Sequence, residues 1–288
     1  MGHHFVPQAH LRRFECPERP GFVWMYDKDR LTFSQVSIKA AAQSPQYYDQ
    51  NVEDGLARGI EGPANAVIDK VCRQEALNNA ERTQLSMYLL TMATRGPRQR
   101  RKALEEVAPK ALEATIKEIE AQIQKVIDES GGDQRAIARM KELHAVRETF
   151  AKTPPKNIVD LIRIPFWSEQ TVLCVHNMVW RIVPAPPETF YLTCDTPTHL
   201  SEWAGVGTPQ SELTFPISMD LALIGSHTGQ PATIEHVPAQ EGLVTEVNRR
   251  MVNCTERFIF SHIKEDWIAE LADNPPPFNR IQWLAPVL

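Results

Sequence analysis

The sequence predicts an α+β fold: a mixed or antiparallel sheet with a helical insertion that contains a long antiparallel helical hairpin. Three observations carry this expectation. Runs rich in β-favouring residues gather towards the two ends, at 22–33 and 189–261. Between them, from residue 52 on, about a hundred residues show helical rather than alternating spacing. Within that stretch Leu112, Ile116, Ile119, Ile123 and Val126 step by four and three, the spacing of a coiled-coil seam. Strands, then helices, then strands again are expected of one domain over residues 1–288, with the hairpin inserted at 98–150.

Composition narrows the class. A chain of 288 residues, 42% hydrophobic and 23% charged, has the length and apolar content for a globular core. A net charge of −5 argues against wholesale wrapping of nucleic acid and leaves room for a local basic patch. No apolar stretch approaches the ~20 residues of a membrane span. The start lacks a basic segment followed by an apolar run, so a cytoplasmic protein with no membrane association is expected. The five cysteines (Cys16, Cys72, Cys174, Cys194, Cys254) show neither C-x-x-C nor zinc-finger spacing, the usage of free thiols in a reducing compartment.

Taken in order, Phe22-Val23-Trp24-Met25-Tyr26 and Leu31-Thr32-Phe33 flank the polar turn Asp27-Lys28-Asp29-Arg30 and predict a β-hairpin. Ser44-Pro45-Gln46-Tyr47-Tyr48-Asp49 reads as a loop. Val52 to Asn78 is helical by its apolar spacing, with Gly59-Ile60-Glu61-Gly62-Pro63 as a break. Asn79 is placed to cap a helix whose stripe is Leu85, Tyr88, Leu89 and Met92. Gly96-Pro97 ends it, because proline lacks an amide hydrogen and restricts the residue before it. Pro109 should begin or kink the long helix. Ser130-Gly131-Gly132-Asp133 turns the chain, and Asp133 can cap a return helix carrying Ile137, Met140, His144 and Val146.

Pro154-Pro155 marks the return to the body. Trp167 to Val183 fits either a helix or a pair of strands. Thr189 to Cys194, Leu213 to Ser218, Leu221 to Gly225 and Arg257 to Ser261 read as strands. Leu243 to Thr255 and Lys264 to Ala272 read as helices.

Three clusters can carry chemistry. The first is His3-His4-Phe5-Val6-Pro7-Gln8, followed by His10. Imidazole is the side chain most often recruited as a ligand or proton shuttle near neutral pH. Neighbouring histidines on a regular strand face opposite ways, so His3 and His4 aim at one site only in a turn or bulge. A hydrolytic metal site needs three or four converging His or carboxylate groups with one open position; His3, His4, Glu53, Glu61 and Asp195 are candidates, though no His-Glu-x-x-His spacing marks them. The second cluster is Thr193-Cys194-Asp195-Thr196-Pro197, an acid pinned where a strand meets a loop. Such an acid either enters an active site or caps nearby amides. Beside Asp195, the Cys194 thiol is a poor nucleophile. The third is Arg95-Gly96-Pro97-Arg98-Gln99-Arg100-Arg101-Lys102, a basic run able to grip phosphates or simply to start a solvated helix. Phosphate-cradling glycine loops, nucleophile elbows and dinucleotide fingerprints are all missing from the sequence, so no organic cofactor is expected.

Several blocks together resemble one bacterial family, the domain of unknown function forty-two thirty-eight. They are His3-His4-x-Val6-Pro7-Gln8 with Leu11 and Phe14, Trp24-x-Tyr26-Asp27-Lys28, Tyr47-Tyr48 with Glu53 and Glu61, and Arg95-x-Pro97-Arg98. Asp195-Thr196-Pro197, Phe215-Pro216-Ile217-Ser218, and Asn248 leading to Arg257 and Ser261 complete them. The family usually carries Ser or Thr, Asp, Asn, Pro where this chain has Cys194-Asp195-Thr196-Pro197. The resemblance spans nearly the whole chain and implies a bacterial, cytosolic protein with no assigned reaction. It also implies that the N-terminal histidines, the acids of the first helices and Asp195 share one site. The opening also resembles that of His-Asn-His nucleases, but Asn51 stands far off with no trailing histidine.

Two functions are expected to compete. One is a metal-dependent hydrolase of nuclease or phosphoesterase type in a bacterial defence or toxin-like system. There His4, Asp195 and Gln8 are catalytic, Arg98, Arg257 and Asn248 hold a nucleic acid or other phosphate-containing substrate, and His3, His4, Glu61 and Asp195 ligate Mg, Mn or Zn. The other is a non-catalytic module whose helical hairpin binds a partner or a second copy of the chain.

Overall fold

A computed structural model describes residues 2–45, 47, 50–152, 168–201, 205–277 and 281. Pro154-Pro155, Trp167, and Gln46, Tyr48 and Asp49 of the expected loop lie outside them. The described chain is α+β. Its contacts divide it into two compact units, residues 1–98 with 165–288, and residues 99–164.

In the first unit, β1 (Gly2–His4) precedes a one-turn helix α1 (Gln8–Leu11). The expected hairpin forms as β2 (Phe22–Asp27) and β3 (Thr32–Ser37), and β4 (Gln43–Pro45) returns to pair antiparallel with β1, setting His3 opposite Ser44. Then come α2 (Gln50–Leu56), α3 (Gly62–Cys72), α4 (Asn79–Thr94) and α5 (Pro97–Lys102), within which the first unit gives way to the second after Arg98.

The expected break between α2 and α3 is instead a π-helical turn, Ala57–Glu61. Pro63 has no amide hydrogen to offer the Gly59 carbonyl, so the helix widens rather than stops. Gln84 Nε2 donates to the Gly59 and Ile60 carbonyls, 3.2 Å each. A second π turn, Ala103–Val107, precedes Pro109 for the same reason. The cap of α4 is Asn78, one residue before the expected Asn79. Its side chain accepts from Glu81 N while Glu81 returns a bond to Asn78 N, a reciprocal capping box.

In the second unit α6 (Ala108–Ser130) and α7 (Gln134–Lys152) pair antiparallel, with Arg147 on Glu113 at 2.6 Å and His144 near Glu120 at 3.1 Å. Gly131, at φ +68°, takes the left-handed conformation that ends α6. Asp133 caps α7 by accepting from Arg135 N. The shielded line of α6 is Leu112, Ile116, Ile123 and Ile127, whereas Ile119 and Val126 of the expected seam are exposed. Two helices cover only a narrow stripe of each other, so a straight 3.6-residue helix carries part of a 3.5-residue seam out of contact.

Back in the first unit, residues 168–184 form a helix followed by a single strand rather than a pair: α8 (Glu169–His176), then β5 (Val179–Pro184). β6 (Thr193–Cys194) is shorter than the strand expected over 189–194. The Asn248 carboxamide takes the place of a ladder there, accepting from Leu192 N and donating to the Phe190 carbonyl. The remaining elements are β7 (His199–Leu200), β8 (Glu212–Ser218), β9 (Leu221–Ser226), β10 (Ile234–His236), α9 (Glu241–Cys254), β11 (Phe258–Ser261) and α10 (Asp266–Asp273).

A five-stranded sheet runs β10-β5-β9-β8-β7, mixed because β10 is parallel to β5, and a four-stranded antiparallel sheet runs β3-β2-β11-β6. Pro216 sits inside β8 where the register shifts, the place a strand tolerates a proline. The main core joins Leu11, Phe14, Leu85, Tyr88, Leu89, Trp180, Phe215 and Leu223. Arg82 ties α4 to it, donating to the His176 and Met178 carbonyls (2.7 and 2.6 Å) with its guanidinium over the Trp180 ring. Among the described residues no helix is long and apolar enough to cross a membrane.

Candidate functional site

The N-terminal strand, the first π turn and the end of α4 meet at Arg95. Its buried guanidinium is ion-paired with Glu61 and donates to the His4 carbonyl. Gly96-Pro97 ends α4 and so presents Arg95, while the π turn places Glu61 against it. The Tyr47 hydroxyl donates to the Arg95 carbonyl at 2.9 Å and its ring lies 5.5 Å from Phe5. Among the described residues the enclosed Tyr88 hydroxyl has no hydrogen-bond partner, and burial with the neighbouring Glu61 charge pushes its pKa up. Glu53 Oε2 is likewise enclosed without a partner among the described residues.

His3 and His4 diverge as neighbours on a strand must: His3 is buried and His4 half-exposed. His4 Nε2 lies 3.1 Å from the Lys39 carbonyl, a contact only an N–H can make, so Nε2 carries the proton of the neutral ring and Nδ1 is its basic atom. No described residue bonds Nδ1. Gln8 Nε2 stands 3.5 Å from His4 Nε2, and Gln8 Oε1 accepts from Arg12 at 3.3 Å. Gln8 and Arg12 are therefore joined beside the His4 ring, the two donors Gln8 Nε2 and His4 Nε2 making no bond with each other, and Arg12 is exposed and in no ion pair among the described residues. Arg12 is absent from the sequence-based candidates; its place four residues after Gln8 was the available signal.

Asp195 comes close to this region through its backbone. A Cβ on Gly96 would lie 2.9 Å from the Asp195 carbonyl and against the Thr196 hydroxyl. The Asp195 carboxylate, fully buried, accepts from the backbone N–H groups of Glu256 (2.9 Å), Arg257 (2.6 Å) and Phe258 (2.9 Å). Burial raises its pKa to about 6 despite those three donors, which pull the other way. This is the amide-capping role that an acid at a strand end can take.

The other candidates are also engaged. Arg257 binds Asp27 through two bonds of 3.0 and 2.7 Å and lies 3.2 Å from Asp29, which holds the Asp27 pKa below the usual carboxylate range. Arg98 donates to the Asn253 carbonyl at 2.8 Å. Asn248 holds the chain before β6. His10, near the same strand, is wholly buried: its Nε2 lies 2.8 Å from Thr193 Oγ1 and burial drives its pKa down to about 3.

The ligand set His3, His4, Glu61 and Asp195 does not assemble in this geometry, because Arg95 takes Glu61 and backbone amides take Asp195. Among the described residues no group of three His, Cys, Asp or Glu side chains is placed to hold a metal ion. What the arrangement offers is one basic imidazole nitrogen, a carboxamide beside the protonated nitrogen of the same ring, and a guanidinium that is in no ion pair among the described residues.

No curated protein and no solved structure matches the chain. The sequence profile described as Protein of unknown function (DUF4238) matches residues 2–265, and the chain belongs to that family.

Proposed function

We propose that the protein is a hydrolase of nuclease or phosphoesterase type whose working groups are His4, Gln8 and Arg12. The observation that carries this is the His4 ring: its proton is tied at Nε2 by the Lys39 carbonyl, and Nδ1 is left to take a proton from an attacking water. Gln8 orients the water or the substrate. Arg12 binds a phosphate oxygen, a task suited to a planar guanidinium. Arg95 and Glu61 frame the site by holding the His4 backbone.

A divalent cation (Mg, Mn or Zn) would arrive with the substrate's phosphate, as Mg does where substrate phosphate oxygens supply part of its coordination. All five cysteines are free, which supports a cytoplasmic setting.

The test is turnover of single- and double-stranded nucleic acids and of nitrophenyl phosphate esters, with each cation and with chelator. His4→Ala should lose about a hundredfold or more in rate, with an unchanged unfolding midpoint, because its side chain is half-exposed. Absence of turnover by the parent protein on all these substrates, or undiminished turnover by the variant, overturns the proposal.

A second reading rests on the hairpin. Ile119, Val126 and Val146 are 37%, 48% and 41% exposed, and Ile119 and Val126, seven residues apart on α6, share one face that the described residues leave uncovered. Self-association through this face would make the protein a binding module. Light scattering should then show a dimer for the parent chain and a monomer for Ile119→Glu; a monomeric parent chain overturns this reading.

A further inference from the structure

A cleft of about 490 Å³ opens between α9, α10 and the segment entering β6. That volume is within the range of small-molecule sites. Its apolar wall is Phe190, Val244, Trp267 and Leu271, and its carboxylates are Glu188, Glu241 and Glu270. The wall is braced: the Phe190 and Trp267 ring centres lie 5.3 Å apart, those of Phe190 and His262 4.7 Å apart in a T-shaped contact, and Asn248 holds the Phe190 carbonyl at 2.9 Å.

The three carboxylates make no side-chain hydrogen bond or ion pair among the described residues. Arg249, the cation in the lining, faces Glu246 at 3.8 Å. Glu241 is accounted for locally, because an acid in the first turn of α9 favours the helix dipole. Glu270 is not: it lies in the last turn of α10, where a negative charge opposes the dipole. Glu188 adds a left-handed backbone, φ +63°, which a non-glycine residue adopts at a cost. Carboxylates lining a concave cleft, of which Glu188 and Glu270 have neither a counter-charge among the described residues nor a favourable helix end, bias its potential negative, and aromatic faces attract cations.

We infer that this cleft binds a small organic cation, an ammonium head carried on an apolar body, with the head among Glu188, Glu241 and Glu270 and the body against Trp267 and Phe190. The site is separate from the His4 site and does not depend on hydrolysis.

Isothermal titration calorimetry on the full chain tests it with choline, spermidine and the neutral choline isostere 3,3-dimethylbutan-1-ol. At least one cation should bind saturably at one site per chain, with the neutral isostere at least about tenfold weaker if choline is that cation. Glu270→Gln, at an exposed position, should weaken cation binding about fivefold, and Trp267→Leu about tenfold. Saturable binding by neither cation, equal binding of choline and its isostere, or unchanged affinity in both variants overturns the inference.

Discussion

The Arg95 guanidinium is shared between the Glu61 carboxylate and the His4 carbonyl, so one buried cation fastens the N-terminal strand to the helices that follow it. Removing it leaves a largely buried carboxylate and a carbonyl without that partner. Arg95→Ala should lower unfolding free energy by about 3 kcal/mol, and amide hydrogens of β1 should exchange faster. Urea titration and hydrogen exchange check both.

Gly96 is the next link. A methyl group there meets the Asp195 carbonyl and the Thr196 hydroxyl, and the backbone oxygen cannot rotate away. Gly96→Ala should cost about 1–3 kcal/mol through overpacking, readable as a lower thermal midpoint. An unchanged midpoint would show that the turn shifts freely.

Asp195 predicts a structural rather than a catalytic phenotype. Asp195→Ala strips acceptors from three consecutive amides and should cost about 2–4 kcal/mol. Asp195→Asn keeps one acceptor oxygen and should cost less. In both, any hydrolytic turnover should fall only with the folded fraction.

Arg250 and Glu212 form a fully buried pair at 2.7 Å, joined by Thr214 Oγ1 at 2.9 Å from the same guanidinium. Removing Glu212 takes away the nearer of two carboxylates, leaving Glu246 at 3.6 Å from Arg250 Nε, whereas replacing both residues of the pair also removes the desolvation penalty of the guanidinium. Glu212→Leu alone should cost about 3–5 kcal/mol, and adding Arg250→Met should recover part of the loss. A double-mutant cycle by urea unfolding measures the coupling.

His10 sets an acid limit on stability. Unfolded, it titrates near its ordinary 6.5; folded, it takes a proton only near about 3. Below pH 6.5 protons therefore favour the unfolded chain, and stability falls until the pH reaches about 3. Asp195 acts oppositely, since its folded pKa near 6 lies above its ordinary 3.8 and acidification between those values favours the fold. Comparison with His10→Gln isolates the histidine: the parent's stability relative to the variant should fall by about 1.4 kcal/mol between pH 7.5 and 5.5. A difference independent of pH would contradict the buried neutral ring.

The sequence by itself determined the α+β class, the first hairpin, the helical stretch and the paired long helices, because these follow from local periodicity, turn residues and proline. It also singled out His3-His4, Glu61 and Asp195 as unusual. Tertiary structure decided what those side chains do. Whether Asp195 faces a cleft or three backbone amides depends on where the chain returns about sixty residues later. Whether Gly59 to Pro63 breaks a helix or widens it depends on Gln84 reaching the freed carbonyls. Which face of α6 is covered depends on one partner helix, not on its own repeat. In each case the deciding contact is long-range, and side-chain hydrogen bonds and burial that close only in the folded chain leave no spacing to read in advance.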